Sequence, residues 1–247
     1  MAIYDKIAAA YTDPDRTNHP QRIYQIYYSW LKEIGDARGL RVLDMACGHG
    51  HSSRLLAEQG VQVTAFDESI KMIRIAQEIE SQQPSGIEYI KARGQEIQQF
   101  SPTPFDLVTA GYFFHYARTP AELSAFVENA ALNLKAGGRL VAININPLSP
   151  VCNYIPGATG FAKWIDQPWQ NGSRIKVTVY GASRKRLTSF INYHWQKEVY
   201  EQHLSQFGFK DIRWTDLTIS PEGLELKFNW QKVMDYKIIC ILSAVKN

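Results

Sequence analysis

Cysteine is scarce in this 247-residue chain, and its placement is uninformative for a metal or a staple: Cys47, Cys152 and Cys240 are far apart, odd in number and without a Cys-x-x-Cys pair. That excludes a disulfide framework and the common zinc-finger spacings, and it suits a reducing compartment. No apolar run approaches the ~20 residues that cross a bilayer, so no membrane partner is expected. The opening Met1-Ala-Ile-Tyr-Asp-Lys6 lacks the charged-then-apolar order of a secretion signal, and a cytoplasmic location is expected. Neither sign of charge dominates: 27 Lys and Arg face 24 Asp and Glu, a net charge of +3, with one short basic cluster at Arg184-Lys-Arg186. Nucleic acid is therefore not expected as an obligatory partner. Internal repeats and low-complexity tracts are missing too, and the length fits one domain with an insertion.

Two further absences sharpen the most informative stretch, Val42-Leu-Asp-Met-Ala-Cys-Gly-His-Gly-His51. It reads as a buried strand, Arg41 to Ala46, that breaks at Gly48 and Gly50 into a helix from Ser52 to Gln59. Glycine accepts positive φ and lets a ligand approach the backbone, while a helix N-terminus offers free N–H groups. The next strand ends at Asp67, whose carboxylate can accept both hydrogen bonds of a ribose diol, so loop and carboxylate together point to an adenosine. A dinucleotide fingerprint would place a third glycine where Ser53 stands, and a P-loop would show Gly-Lys-Ser/Thr. Neither is present. Asp44 stands ahead of the loop instead, a poor neighbour for a pyrophosphate but apt beside an ammonium or sulfonium, which favours S-adenosylmethionine.

Strands near 41–46, 61–66, 87–91, 105–110 and 138–145 alternate with helices near 51–59, 69–80 and 120–134. This predicts an α/β doubly wound parallel sheet with a crevice at the carboxyl ends of its strands, beside the loops after Ala46, Phe66, Ile90 and Ala110. Asn18 to Ile34, rich in Tyr24, Tyr27, Tyr28 and Trp30, reads as a helical cap. After the fifth strand, Pro147, Pro150, Pro156, Gly157, Gly160, Pro168 and Gly172 mark a long insertion. Its Phe161, Trp164 and Trp169 argue against disorder. Arg174 to Tyr180 and Leu187 to Trp195 alternate and predict a hairpin. A helix from Gln196 to Gln206 follows, then closing strands over Phe209 to Trp214 and Tyr236 to Ala244.

Four segments in order give the chain a resemblance to the class I S-adenosylmethionine-dependent methyltransferases. Leu43-Asp-Met-Ala-Cys-Gly-His-Gly50 resembles their first motif and Asp67 their ribose-binding acid. Phe105-Asp-Leu-Val-Thr-Ala-Gly-Tyr-Phe-Phe-His115 is similar to their fourth-strand motif, and Leu134-Lys-Ala-Gly-Gly-Arg-Leu-Val141 to the turn into their fifth strand. The resemblance implies a Rossmann-like seven-stranded sheet of order 3-2-1-4-5-7-6 with the last strand antiparallel. It also implies an N-terminal lid over 1–36 carrying Tyr4-Asp-Lys-Ile-Ala-Ala-Ala-Tyr11, a cofactor-binding core over 37–146, a substrate-covering insertion with a hairpin cap over 147–195, and a closing segment over 196–247. Ser220-Pro-Glu-Gly223 with Trp230, and His194-Trp195, resemble a small-molecule subgroup that includes the toxoflavin N-methyltransferases.

The residues expected to hold the cofactor are then Tyr11 from the lid, Asp44, Ala46, Gly48 and Gly50 from the first loop, Asp67 and Glu68 from the second, and Ala110 and Tyr112 from the fourth strand. Where the family commonly shows Gly-Asp-Ala after the third strand, this chain has Ala92-Arg-Gly-Gln-Glu96, and the adenine contact passes to Gln95. Tyr28, Tyr112, His115, Phe161, Trp164 and His194 are the expected acceptor contacts, aromatic walls being suited to a flat ring or a cation. A neutral amine needs no base, whereas a hydroxyl of high pKa benefits from one, for which His115, His194 and Tyr11 are the candidates. Cys47, His49 and His51 mimic a metal cluster, but the spacing fits no usual site and no metal is expected. The expected reaction is methyl transfer to nitrogen or oxygen of a small aromatic or heterocyclic metabolite by a monomer or homodimer. The alternatives are an RNA or protein methyltransferase and a non-catalytic cofactor-binding protein of the same fold. Asp67→Ala and Gly48→Val are each predicted to abolish cofactor binding by calorimetry while circular dichroism stays native; tight binding by either would overturn the site assignment.

Overall fold

The strand that carries the glycine loop, β1 (Arg41–Met45), lies at the centre of the sheet in the computed structural model, which describes residues 3–149, 160–165 and 170–247. It pairs in parallel with β2 (Gln62–Asp67) on one side and β4 (Phe105–Gly111) on the other. Beyond these lie β3 (Glu88–Lys91) and β5 (Leu134–Ile145). The carboxyl-terminal β10 (Ile239–Lys246) slots in antiparallel between β5 and β9 (Phe209–Asp216), giving the order β3-β2-β1-β4-β5-β10-β9. This is the expected order, with the expected strand reversed. The expected strand from Tyr236 starts late, because α9 (Trp230–Tyr236) runs through Tyr236 and Lys237 turns the chain at φ 41° before Ile239. Asn229 starts that helix by accepting the Lys232 N–H at 3.2 Å.

Alternate residues of the central strands enter two apolar cores, one on each side of the sheet, which is why β1 reads as a nearly continuous apolar run. Val42 packs with Trp30 of α3 (Tyr28–Ile34), Leu56 of α4 (His51–Ala57) and Ile73 of α5 (Ile70–Gln82). Leu43 and Met45 pack with Leu123 and Phe126 of α6 (Pro120–Asn133) and Leu204 of α7 (Lys197–Gln206). No helix among the described residues is long and apolar enough to cross a membrane.

Two parts cover the carboxyl ends of the strands. The first is amino-terminal: α1 (Ile3–Tyr11), α2 (Pro14–Thr17) and a π-helical stretch, Arg22–Tyr27, that runs into α3. The helix expected from Asn18 begins later because Asn18 ends α2. The second is a three-stranded antiparallel sheet of β6 (Phe161–Ile165), β7 (Arg174–Tyr180) and β8 (Arg186–Tyr193), so the expected hairpin gains a strand. Register puts Phe161 and Lys163 of β6, Ile175, Val177 and Val179 of β7, and Phe190 and Asn192 of β8 on one face. Pro150, Cys152, Pro156, Gly157, Pro168 and Trp169 of the insertion lie outside the described residues. Between β8 and α7, the Trp195 indole N–H donates to Ala117 O at 2.9 Å and ties the insertion back to the core.

Candidate functional site

The loop after β1 follows a path that few residues tolerate. Ala46, Gly48 and Gly50 take φ values of 57°, 57° and 78°. At Gly50 a Cβ would collide with the Tyr89 ring, so glycine is required there by packing as well as by backbone conformation. At Gly48 a Cβ would meet only open space, because this residue borders the cavity.

Asp44 does not border the cavity. The expectation that it sits beside a cationic ligand is corrected by its position: the side chain is fully buried beneath the loop. Oδ2 accepts from both Ser52 Oγ and Ser53 Oγ at 2.7 Å, and Oδ1 accepts from Thr109 Oγ1 at 2.9 Å. Thr109 reaches it because the two residues face each other in the β1–β4 register. Burial raises the Asp44 pKa, and the three hydroxyl donors work against that rise. Ser53, which displaces the third glycine of a dinucleotide loop, is thus a structural donor.

Asp67 closes β2 and borders the cavity with one oxygen on each neighbouring segment. Oδ2 accepts the Gly48 N–H at 2.9 Å and Oδ1 the Ser69 N–H at 2.8 Å. Burial lifts its pKa to about 6 against the pull of these two donors. Ser69 caps α5 and donates Oγ to Asp5 of α1 at 2.7 Å, which fastens the amino-terminal helix over this end of the site.

A cavity of about 830 Å³ runs from this point in two directions along the strand ends. Toward β3 it is bordered by Glu68, Arg93, Gly94 and Gln95 and by the rings of Phe66, Phe113 and Phe126. Phe113 and Phe126 stack at 4.1 Å between centroids. The Gln95 Oε1 is buried there without a hydrogen-bond donor among the described residues. Arg93, the departure from the family pattern, pairs with Glu68 at 4.0 Å and Glu96 at 3.5 Å. Exposed pairs of this kind contribute little stability.

In the other direction the cavity meets Tyr11, Tyr112, His115, Phe161, Lys163 and Asn192. Tyr112 holds a left-handed backbone (φ 61°), a strained conformation for a non-glycine residue, with its N–H donated to Ile143 O at 2.8 Å. His115 Nδ1 makes its shorter contact with Asn144 Oδ1 (3.1 Å), against 3.4 Å to the Ile145 N–H. Asn144 is itself oriented by donating Nδ2–H to Ile145 O at 3.0 Å, so Nδ1 carries the proton and Nε2 the lone pair. Burial, with nearby Lys163, lowers the His115 pKa to about 3 and keeps the ring neutral. Tyr4 bonds to Tyr11 (3.1 Å) and Tyr116, and burial raises the pKa of all three phenols.

Several expected contacts lie elsewhere. Trp164 is on the opposite face of β6 from Phe161 and Lys163, by the two-residue alternation of a strand, and is half exposed. His194 is buried but does not border the cavity, whose lining on this strand runs to Tyr193, the last residue of β8. Tyr28 gives way to Tyr27, which lies about 100° round the helix and packs on His51 at 4.9 Å. Gly50 and Ala110 shape the loop and strand beneath the cavity without bordering it. Tyr11, Ala46, Gly48, Asp67, Glu68, Gln95, Tyr112, His115 and Phe161 all border it.

The sequence reading passed over two buried arginines. Arg16 lies 3.9 Å above the Tyr11 ring and donates Nη1–H to Tyr11 O at 3.2 Å. Arg22 donates Nη2–H to Tyr27 Oη at 2.7 Å. Both border the cavity, and Arg16 Nε and Arg22 Nη1 have no acceptor among the described residues. Their position in an otherwise aromatic helical cap is the sequence signal that could have exposed them. His49 and His51 border the same region, kept neutral by burial and by Arg22.

Strand order, glycine loop and β2 carboxylate together define the class I S-adenosylmethionine-dependent methyltransferase fold. Residues 42–138 match the methyltransferase domain family, and the fold is that of solved S-adenosylmethionine-dependent methyltransferases. The chain is 29% identical over 155 residues to a ubiquinone biosynthesis O-methyltransferase of Leptothrix cholodnii (60% of this chain, 64% of the relative). It is 34% identical over 146 residues to the protein of that name from Xylella fastidiosa strain M23 (58% of each chain). The chain therefore spans about three fifths of the curated relatives it matches. Among solved structures, an S-adenosylmethionine-dependent methyltransferase from Mesorhizobium loti superposes with a TM-score of 0.65 at 17% identity, covering 93% of this chain and 99% of that one. The S-adenosylmethionine-bound amino pentose methyltransferase CalS10 from Micromonospora echinaspora superposes with a TM-score of 0.56 at 15% identity, covering 100% and 98%.

Removing the Asp44 carboxylate leaves three hydroxyls without their shared acceptor. Asp44→Ala is expected to lower unfolding free energy in urea by about 2–3 kcal/mol, while Asp44→Asn, which keeps an acceptor, should lose roughly half as much. Equal, small losses would mean that the three hydroxyls do not depend on it.

Proposed function

We propose that the chain transfers a methyl group from S-adenosylmethionine to oxygen or nitrogen of a small aromatic or heterocyclic acceptor. The observation that carries this reading is a row of polar groups along one cavity: Gln95 Oε1, unpaired among the described residues, the Asp67 carboxylate, and Arg22 Nη1, likewise unpaired, in that order from β3 to the amino-terminal cap. This order suits an adenine amino group, a ribose diol and an amino-acid carboxylate. Bound there, S-adenosylmethionine would supply an electrophilic methyl group on a sulfonium.

The protein's own groups divide the remaining work. Asp67 offers the remaining acceptor capacity of its carboxylate to the diol, and Arg22 donates to the amino-acid carboxylate. Tyr112 and Phe161, with rings 5.9 Å apart, exclude water beside the acceptor. Holding nucleophile and methyl in line accounts for much of the rate enhancement that such a transfer requires. His115 Nε2 can accept a proton as the acceptor loses it. Tyr11 keeps its proton and serves as a donor, and His194 is off the cavity, so neither fits the role of base. The names of the curated relatives favour oxygen as the acceptor atom, whereas the tail resemblance to toxoflavin N-methyltransferases favours nitrogen. That tail contributes packing: Ser220 accepts the Gly223 N–H at 3.1 Å, and the Trp230 indole donates to Gly223 O at 2.7 Å.

Incubation with S-adenosylmethionine and a panel of small phenols and amines should release S-adenosylhomocysteine with at least one acceptor. Failure across the panel, together with no calorimetric binding of S-adenosylhomocysteine, would sink the reading. Because burial holds Asp67 at a pKa of about 6, its acceptor capacity is present above that pH and lost below it. Affinity for S-adenosylhomocysteine is expected to weaken by up to tenfold per pH unit as pH falls below about 6. Asp67→Asn should flatten that dependence.

A further inference from the structure

One rim of the cavity is open to solvent. Glu68, Arg93 and Arg118 border it there, with side chains 39%, 48% and 58% exposed. At the opposite end His115, Val177 and Phe190 border it and are buried. On the proposed reading the cofactor lies from Gln95 to Arg22, and so stands between the open rim and His115. An acceptor that arrives after the cofactor therefore needs a second way in.

The seam between the amino-terminal cap and the added sheet leads to that end. Tyr4 and Tyr11 of α1 border the cavity from one side of the seam and Phe190 of β8 from the other, with ring centroids 6.3 and 6.0 Å apart. Where the β7–β8 turn meets the cap, Asp15 of α2 closes the seam. The Ser183 N–H donates to Asp15 Oδ1 at 2.8 Å, the Ser183 hydroxyl donates to Oδ2, and the Ala182 N–H donates to Asp15 O at 2.9 Å. Among the described residues, the hydrogen bonds that residues 181–185 make outside their own turn all end on Asp15. Gly181 permits this approach, since a Cβ there would overlap the Asp15 carboxyl. The two bonds from Ser183 also hold that carboxyl below the ordinary carboxylate range. Both of these bonds are exposed, unlike those of the Asp44 cluster. Water competes for exposed hydrogen bonds, and elements that open and reclose are drawn from the less stable parts of a fold.

We propose that this seam is the entrance for the acceptor and that Asp15 is its latch: release of Ser183 lets the β7–β8 turn swing off α2 and opens the far half of the cavity while the cofactor stays bound. The inference rests on the proposed methyl transfer for what occupies the near half, and it adds the route by which the second substrate arrives. Just beyond the other end of β8, the Trp195 indole is bonded to Ala117 O, so the motion is confined to the turn. Closing the seam again excludes water before the transfer. Asp15 does not border the cavity, and the latch acts without touching either ligand.

Thiol labelling of the full chain saturated with S-adenosylhomocysteine tests the route. Val177→Cys puts a reporter thiol on the far wall, N-ethylmaleimide is the probe, and peptide mass spectrometry separates the reporter from Cys240, which is buried in the core away from the cavity. Adding Asp15→Ala is expected to speed labelling of the reporter at least fivefold while the rate at Cys240 stays within twofold. Ser183→Ala, which keeps the backbone bond to Asp15, should fall between. Without the reporter, trypsin should cut after Arg184, Lys185 or Arg186 at least fivefold faster in Asp15→Ala than in the unsubstituted protein. Calorimetric affinity for S-adenosylhomocysteine within threefold of the unsubstituted protein certifies the fold of each variant. A smaller rise in either measurement, or a reporter rise shared by Cys240, overturns the inference and leaves the cofactor reading intact. Failure of S-adenosylhomocysteine to bind the unsubstituted protein overturns both.

Discussion

A single buried carboxylate gathers the parts that the site is built from. Asp44 receives hydroxyls from Ser52 and Ser53 at the start of α4 and from Thr109 on β4, joining the central strand, the helix after its loop and the neighbouring strand. Hydrogen bonds to a charged group in a poorly solvated place are among the stronger ones a protein makes, and they fix geometry as well as adding stability. With α4 and β4 held in this way, the loop between Ala46 and Gly50 has few conformations left. Its left-handed residues bring Gly48 N–H to Asp67. The groups that border the cavity are thus positioned by a residue that does not border it.

Electrostatic asymmetry along the cavity follows from which element supplies each wall. The parallel core offers carboxylates and backbone groups at the ends of β1 and β2. The amino-terminal cap offers Arg16 and Arg22, and the added sheet offers Lys163 and Asn192. Burial keeps His49, His51 and His115 neutral among these cations, and it keeps Tyr4, Tyr11 and Tyr116 protonated. Tyr112, where the backbone itself is strained, borders the same cavity.

Sequence reasoning fared differently on the two sorts of structure present. The parallel strands and their helices were legible because each hides one or both faces against a neighbour close in the chain, leaving apolar periodicity and glycine punctuation in the residues themselves. Gly48 and Asp67 could be named for the same reason, since local motif grammar places them at strand ends, whereas Gln95 was named only through the family resemblance. The added sheet was only half legible. Phe161-Ala-Lys-Trp-Ile165 is too short to declare itself a strand, and its facing is set by pairing with β7, which is why Trp164 was expected in the cavity and Lys163 was not. His194 was misplaced through the exact end of β8, and Tyr28 through the helical phase of the cap, each an error of one or two residues that rotates a side chain away from its target.

Residue order alone therefore determined the α/β class and the glycine loop with the acid that follows it, because these depend on contacts between elements adjacent in sequence and on backbone conformations few residues accept; the strand order came from the resemblance of four motifs to a known family. Tertiary structure decided that Asp44 is a buried clamp, that Arg16 and Arg22 turn into the cavity, and that Lys163 and Asn192 form its polar points on the far wall. These roles arise where segments more than a hundred residues apart close on one space. Whether a polar side chain there is solvated, paired or left waiting for a ligand depends on what surrounds it in three dimensions.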